Sequence, residues 1–284
     1  MKILTIILVI SLVGNIVGLL VLYKYFKKAQ YITNLEAKLT AKQEVLDRVN
    51  ELLPKRLVFI HHSVGQNWIN DGGLKDSLME LGISVQSATY GYDIGEKTDI
   101  NDWLPKFENN LDKILKFDNL APNNQNDTLE NEIIMFKSCF PNSDIISEGE
   151  KNGNPYDTAR TITNYEATFD SLKNIFSQHP RKLFIYVTAP PLVPSRTNPE
   201  NATRARKFNN WIKTEFLKKY QEETKLDNFL VFDLFYILAD KNNVLKKEYR
   251  HNDRDSHPNA QASKTATKAF LKFLEAHRIS GITN

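Results

Sequence analysis

From residue 55 onward, five short apolar runs recur, each separated from the next by a longer amphipathic or polar stretch. They are residues 57–62 (LVFIHH), 83–89 (ISVQSAT), 132–137 (EIIMFK), 182–188 (KLFIYVT) and 229–232 (FLVF). Runs this short, rich in Ile, Val, Leu and Phe, have the length of strands and fall below that of buried helices. Between them the pattern predicts helices near 73–81, 103–117, 157–177 and 200–223, with a last helix after Pro258. Apolar strands alternating with helices commit the chain to an α/β fold, a three-layer sandwich whose central parallel sheet of about five strands is covered on both faces. The polar stretch NNQND at 123–127 reads as a surface loop.

A chain of 284 residues is long enough for one such domain and a further segment. With 41% hydrophobic and 25% charged residues it is not a disordered polymer. A net charge of +3 gives no reason to expect a nucleic-acid partner. The single cysteine, Cys139, excludes an intramolecular disulfide and a cysteine-rich zinc site. His61, His62, His251 and His257 lack the H-x-x-x-H or carboxylate spacing of a metal site, so neither a metal nor another cofactor is expected.

The extra segment is N-terminal. Residues 3–23 (ILTIILVISLVGNIVGLLVLY) carry no charge, and a helix of that length spans the roughly 30 Å hydrocarbon core of a bilayer. No small-residue cleavage pattern precedes YKYFKK, so the run is expected to stay as a single-pass anchor in contact with lipid. The globular part would then lie outside the cytoplasm, although Lys24, Lys27 and Lys28 favour the opposite orientation. Ile32, Leu35, Leu39, Leu46, Val49 and Leu53 follow in three-four spacing, with Lys42 at one seam position, up to Pro54. That stripe suits self-association through a helical stalk, and equally suits packing on the chain's own globular part. The expected division is an anchor over 1–28, a stalk over 29–54 and a globular domain over 55–284.

In an open parallel sheet, ligands bind beyond the carboxyl ends of the strands. Here those ends are followed by His61-His62-Ser63-Val64-Gly65, Tyr90-Gly91-Tyr92, Ser138-Cys139-Phe140-Pro141-Asn142-Ser143, Ala189-Pro190-Pro191, and Asp233 leading on to DRDSHPN at 253–259. A serine hydroxyl needs a base to take its proton, and the base needs an orienting partner. Ser63 is the candidate nucleophile, His257 the base and Asp255 the nearest orienting carboxylate, with Asp253 as the alternative. Pro258 biases His257 toward an extended conformation at the entry of the last helix. The competing reading gives Ser63 and Asp255 to helix capping.

These residues, in this order, resemble the SGNH (GDSL-like) hydrolases over roughly residues 57–275. Ser63 matches that family's serine after the first strand, Gly91 its glycine after the second, Asn142 its asparagine after the third and His257 its histidine before the last helix. The resemblance implies a flavodoxin-like sheet. It also implies an oxyanion hole built from the Ser63 N–H, the Gly91 N–H and the Asn142 amide. The motifs depart from the family: HHS stands for Gly-Asp-Ser and SCFPNS for Gly-x-Asn-Asp. The Asp-x-His spacing looks like that of membrane-anchored polysaccharide O-acetyltransferases, which raises transfer beside hydrolysis. The expected function is a membrane-anchored serine esterase or acetyltransferase acting on an acylated glycan, a cell-envelope polymer or a small ester. The alternative is a non-catalytic binding or assembly protein of the same fold.

Among the aromatic and basic residues, His62, Trp68 and Tyr90, with Tyr92 and Trp103, could present a sugar-binding surface, against a reading as core packing. At most one of His61 and His62 should face the pocket, since they alternate sides of the strand. Asp233 suits support of the sheet edge, and Arg204 and Arg206 solvated positions.

Overall fold

The structure, a computed structural model, describes residues 2–52, 55–119, 129–277 and 279. It divides into two compact units, residues 1–53 and 54–284. The first is one helix, α1 (Lys2–Leu52). Among its described side chains Leu19, Leu20, Leu22, Ile32, Leu35 and Leu39 are exposed. No helix is long and apolar enough to cross a membrane among the described residues. The run 3–23 on which the anchor was expected lies mostly outside the described side chains, as do Leu46, Val49 and Leu53 of the stripe.

The second unit is built on five parallel strands: β1 (Lys55–Ile60), β2 (Ile83–Ala88), β3 (Ile133–Lys137), β4 (Leu183–Val187) and β5 (Phe229–Phe232). Their order is β2-β1-β3-β4-β5, with every pair parallel. The chain therefore winds outward from β1 to β2, then turns back past β1 to β3. That reversal opens a crevice between the carboxyl ends of β1 and β3, where doubly wound folds place their ligands.

Alternation along each strand supplies two cores. Val58, Ile60, Ile134, Phe136, Phe184, Tyr186, Phe229 and Val231 face one side, against α4 (Ile100–Leu115), α5 (Ile162–Ser177), α6 (Pro199–Trp211) and α7 (Leu217–Thr224). Leu57, Phe59, Ile133, Met135, Ile185, Val187, Leu230 and Phe232 face the other, against α2 (Ser63–Asn70), α3 (Leu74–Glu80), α8 (Leu234–Leu238) and α9 (Ala260–Ala276). A period of two with both faces apolar is what a covered parallel sheet requires.

The differences from the sequence pattern are local. The first run ends as a strand at Ile60, because α2 begins three residues later. The helix expected from 157 starts at Ile162, where the Thr161 hydroxyl accepts the Asn164 N–H. The helix expected over 200–223 is broken by a π-turn at Ile212–Phe216. A small antiparallel hairpin, β6 (Arg250–Asn252) and β7 (Asp255–Pro258), has no counterpart in the apolar pattern.

Candidate active site

Ser63 is set in place by the junction of β1 and α2. The ladder continues one residue past the strand, with the His61 N–H bonded to Ala88 O at 3.0 Å. His62 is then extended (φ −117°, ψ −156°) and is the N-cap of α2, without a side-chain cap bond. Ser63 is thus the first helical residue, and its N–H is among those a helix leaves unpaired. Gly65 makes the sharp turn feasible, since a Cβ there would lie 2.4 Å from His61 Cβ and Cγ. His61 itself is buried, with Nδ1 donating to His62 O (2.9 Å) and Nε2 accepting from Ser87 Oγ (2.9 Å). Burial brings its pKa down to about 4, so it is a neutral structural imidazole.

His257 comes from the β6–β7 hairpin. Asn252 Oδ1 accepts the N–H groups of Arg254 (2.8 Å) and Asp255 (3.0 Å) and makes the turn. Buried Ser256 pins β7 by accepting the Val193 N–H at 3.1 Å. Asp255 and His257, two residues apart on a strand, project to the same side. Asp255 Oδ1 accepts both the His257 backbone N–H (2.9 Å) and the ring Nδ1–H (2.6 Å). On the far side of the ring, His257 Nε2 is 2.8 Å from Ser63 Oγ. The His257 backbone N–H, with its ring, holds the Asp255 carboxyl below the usual carboxylate range. A carboxylate on Nδ1–H fixes the tautomer in which Nε2 accepts the serine proton. Phe140 packs edge-on against the imidazole at 4.9 Å between centroids.

The capping alternatives go to other residues. Asn259 caps α9, its Oδ1 accepting the Ala262 N–H at 3.0 Å. Asp253 is exposed and pairs with Arg250 at 3.1 Å, away from His257.

The expected oxyanion donors fare differently. Asn142 is buried, and its Oδ1 accepts the Ile100 N–H (2.9 Å) and the Tyr165 hydroxyl (3.3 Å). Its amide hydrogens go to Asp99 Oδ1 (2.7 Å) and Cys139 O (3.2 Å). With both N–H groups committed, Asn142 braces the start of α4 instead of facing Ser63. Gly91 has the left-handed φ of +87°, but its N–H donates to Glu96 Oε1 at 2.8 Å. Two neighbours escaped the motif reading. Cys139 Sγ lies 3.9 Å from Ser63 Oγ, and fully buried Lys137 at the end of β3 directs Nζ to Ser138 O (3.0 Å) and Cys139 Sγ (3.7 Å). Burial lowers the Lys137 pKa. The available signal was their position, at the end of the strand beside β1 and just beyond it.

Of the proposed sugar-binding residues, Trp68 and Trp103 are core. Trp68 is buried against Phe59, Phe232 and Phe270 and donates to Thr267 Oγ1 at 2.9 Å. Trp103 is buried with its N–H on Ser138 Oγ at 2.8 Å. Tyr92 packs edge-on against Phe117. His62 and Tyr90 do sit at the site, their rings stacked at 3.9 Å. Asp233 supports the sheet edge, accepting from Thr188 Oγ1 (3.2 Å) and Lys213 Nζ (2.6 Å). Arg204 and Arg206 are not simply solvated: Arg204 holds Ile145 O at 2.7 Å and Arg206 donates to Asn243 Oδ1 at 2.9 Å. Among the described residues no group of three or more His, Cys, Asp or Glu side chains is placed to hold a metal ion.

No family model and no curated protein matches this sequence. Solved structures do. One is a GDSL-like lipase from Bacteroides thetaiotaomicron, at 11% identity over 79% of this chain and 89% of that one, with a TM-score of 0.45. The chain resembles the GDSL-like (SGNH) hydrolases in fold. Others are a carbohydrate esterase family 2 enzyme with a carbohydrate-binding domain from Corynascus thermopiles (13% identity, 78% and 66% of the two chains, TM-score 0.40) and the periplasmic domain of a lipopolysaccharide acetyltransferase from Salmonella ser. Paratyphi A (11%, 78% and 84%, 0.38). Likenesses this remote concern the fold alone, and leave the chemistry to the chain's own geometry.

Proposed function

We propose that residues 55–284 form a serine hydrolase or acyltransferase of SGNH type, acting on carboxylic ester bonds. The observation that carries this reading is the unbroken relay Ser63 Oγ to His257 Nε2 (2.8 Å) and His257 Nδ1 to Asp255 Oδ1 (2.6 Å). Its three members come from two segments nearly two hundred residues apart, and neither helix cap competes for them.

The relay dictates the steps. Ser63 Oγ bonds to the ester carbonyl carbon as its proton passes to His257 Nε2. The carbonyl π-electrons move to oxygen, and Asp255 stabilises the imidazolium formed. Collapse expels the alcohol, which takes the proton from Nε2 and leaves an acyl-Ser63 ester. Water then repeats the sequence and releases the acid; a second alcohol in its place receives the acyl group. Partial exposure of His257 and Asp255 gives that acceptor access.

The proposal extends to the rest of the chain. Residues 3–23 act as a single-pass membrane anchor and 29–54 as a stalk open to self-association, holding the catalytic domain at a cell envelope outside the cytoplasm. The substrate is an acyl, foremost acetyl, ester on a carbohydrate or envelope polymer. Supporting this are the uncharged length of 3–23 and the Asp-x-His spacing of Asp255 and His257. The test is labelling by a serine-directed phosphonate, followed by peptide mapping and by turnover of an aryl acetate. Label on Ser63, with turnover reduced at least about a thousandfold in a folded Ser63→Ala variant, is the expected result. A non-catalytic binding domain would take no label, and full activity in Ser63→Ala ends the serine reading.

A further inference from the structure

A lysine buried without a carboxylate lowers stability, so one at the centre of a sheet calls for a function. Lys137 ends β3, the central strand, and is wholly inaccessible to solvent. Among the described residues no carboxylate pairs with its Nζ, which donates instead to Ser138 O (3.0 Å) and Cys139 Sγ (3.7 Å). The thiol leads on to the nucleophile: Cys139 Sγ lies 3.9 Å from Ser63 Oγ, within reach of a hydrogen bond to sulfur.

The direction of that bond follows from where the hydrogens go. Asp255 takes the Nδ1 hydrogen of His257, so Nε2 is an acceptor and the single Ser63 hydroxyl hydrogen points to it. Ser63 has none left for the sulfur, which makes the thiol the donor and Oγ the acceptor. On its other side the sulfur accepts from Lys137. The hydrogen bonds therefore run one way, from Lys137 through Cys139, Ser63 and His257 to Asp255, a buried cation at one end and a carboxylate at the other. Each bond in such a chain polarises the next. The backbone around the thiol is fixed as well. Ser138 Oγ accepts the Trp103 indole N–H (2.8 Å), and Cys139 O accepts the Asn142 backbone N–H (3.1 Å) and side-chain amide (3.2 Å).

We propose that Lys137 is a positioning residue for the nucleophile, acting through the Cys139 thiol, which donates to Ser63 Oγ and turns the serine hydrogen toward His257. The assignment rests on the Ser63–His257–Asp255 reading. No bond forms or breaks at either residue. As the serine proton passes to Nε2, negative charge grows on Oγ, and the S–H bond to it strengthens. The same donor meets Oγ when it departs from the acyl-Ser63 ester.

The test compares variants of the full-length protein on an aryl acetate, with phosphonate labelling of Ser63 as the check on the nucleophile. Cys139→Ala should lower kcat by about tenfold with KM little changed, the effect of removing one hydrogen bond. Cys139→Ser keeps a hydroxyl donor and should stay within about threefold of wild type. Lys137→Met should lower kcat by about three- to tenfold, and combining it with Cys139→Ala should add no further loss, because the lysine acts through the thiol. Wild-type kcat in Cys139→Ala overturns the proposal. An equal loss in Cys139→Ala and Cys139→Ser does so too, since the sulfur would then be a packing atom, and so do additive losses in the double variant. Should Lys137→Met fail to fold, rescue by Cys139→Ser decides, and its absence overturns the proposal. These results leave Ser63 labelled and the hydrolase reading intact. A wild-type protein that takes no label at Ser63 overturns that reading and the Lys137 assignment with it.

Discussion

A single oxygen, Asp255 Oδ1, accepts the backbone N–H and the ring Nδ1–H of His257, at 2.9 and 2.6 Å. The first bond fixes where the residue sits and the second fixes which ring nitrogen carries the proton, so removing the charge tests the second alone. Asp255→Asn retains an oxygen for the backbone N–H and cannot stabilise an imidazolium. It should cut turnover by about 10³–10⁴-fold while the melting temperature moves by no more than a few degrees. Asp253→Asn should change neither, because that side chain is exposed and pairs with Arg250. Rate loss confined to the Asp253 variant would reverse the assignment. That Ser63, His257 and Asp255 would meet was legible in the sequence, because their order along the chain puts all three at the carboxyl edge of the sheet even though the flanking motifs differ. Asn142 misled for the complementary reason: a residue type in the right place does not reveal where its amide hydrogens go. Here they go to Asp99 and Cys139 O.

At the scale of elements, the five strands were legible because buried parallel strands must be apolar on both faces. The β6–β7 hairpin was not, because polar groups make it: the Asn252 turn and Ser256 reaching Val193 N. The tight β1–α2 junction was hidden as well, since it depends on Gly65 lying against His61. That junction has a pH signature. His61 titrates near 4 in the fold, chiefly through burial, with the charges of Lys137 and His62 acting in the same direction and the bond to His62 O opposing them. Unfolded, it titrates near 6.5. A depressed folded pKa means that the unfolded chain binds the proton first. The contribution is therefore complete above about pH 6.5 and lost as pH falls toward 4. Over that interval the loss approaches about 3 kcal/mol. Denaturant titrations of wild type and His61→Gln between pH 7 and 4 should show the wild type losing stability more steeply. Parallel curves would mean that His61 is already charged in the native state or accessible to solvent.

At the scale of the whole molecule, the described residues of both hydrophobic cores lie within the second unit, from Leu57 to Ile279. A domain that buries its own sheet on both faces has no need of a preceding helix to fold. Residues 55–284 expressed alone should accordingly be soluble, melt in one transition close to that of the full chain and turn over the aryl acetate at the same rate. The proposed role of the first unit is addressed by a different readout. With residues 3–23 present the protein should remain with membranes after a carbonate wash, which strips proteins held by charge but not those that span the bilayer. Exchanging Leu8 and Val13 for lysine places two charges in the run, each costing roughly 2.5–3.5 kcal/mol near the centre of a spanning helix. The variant should be released by the wash with its turnover unchanged. Retention of that variant would show attachment by something other than a spanning helix, and release of the wild type would remove the anchor. Failure of the shorter chain to fold would instead mean that α1 completes the domain, so that the stripe of Ile32, Leu35 and Leu39 packs on it and is not a stalk for self-association.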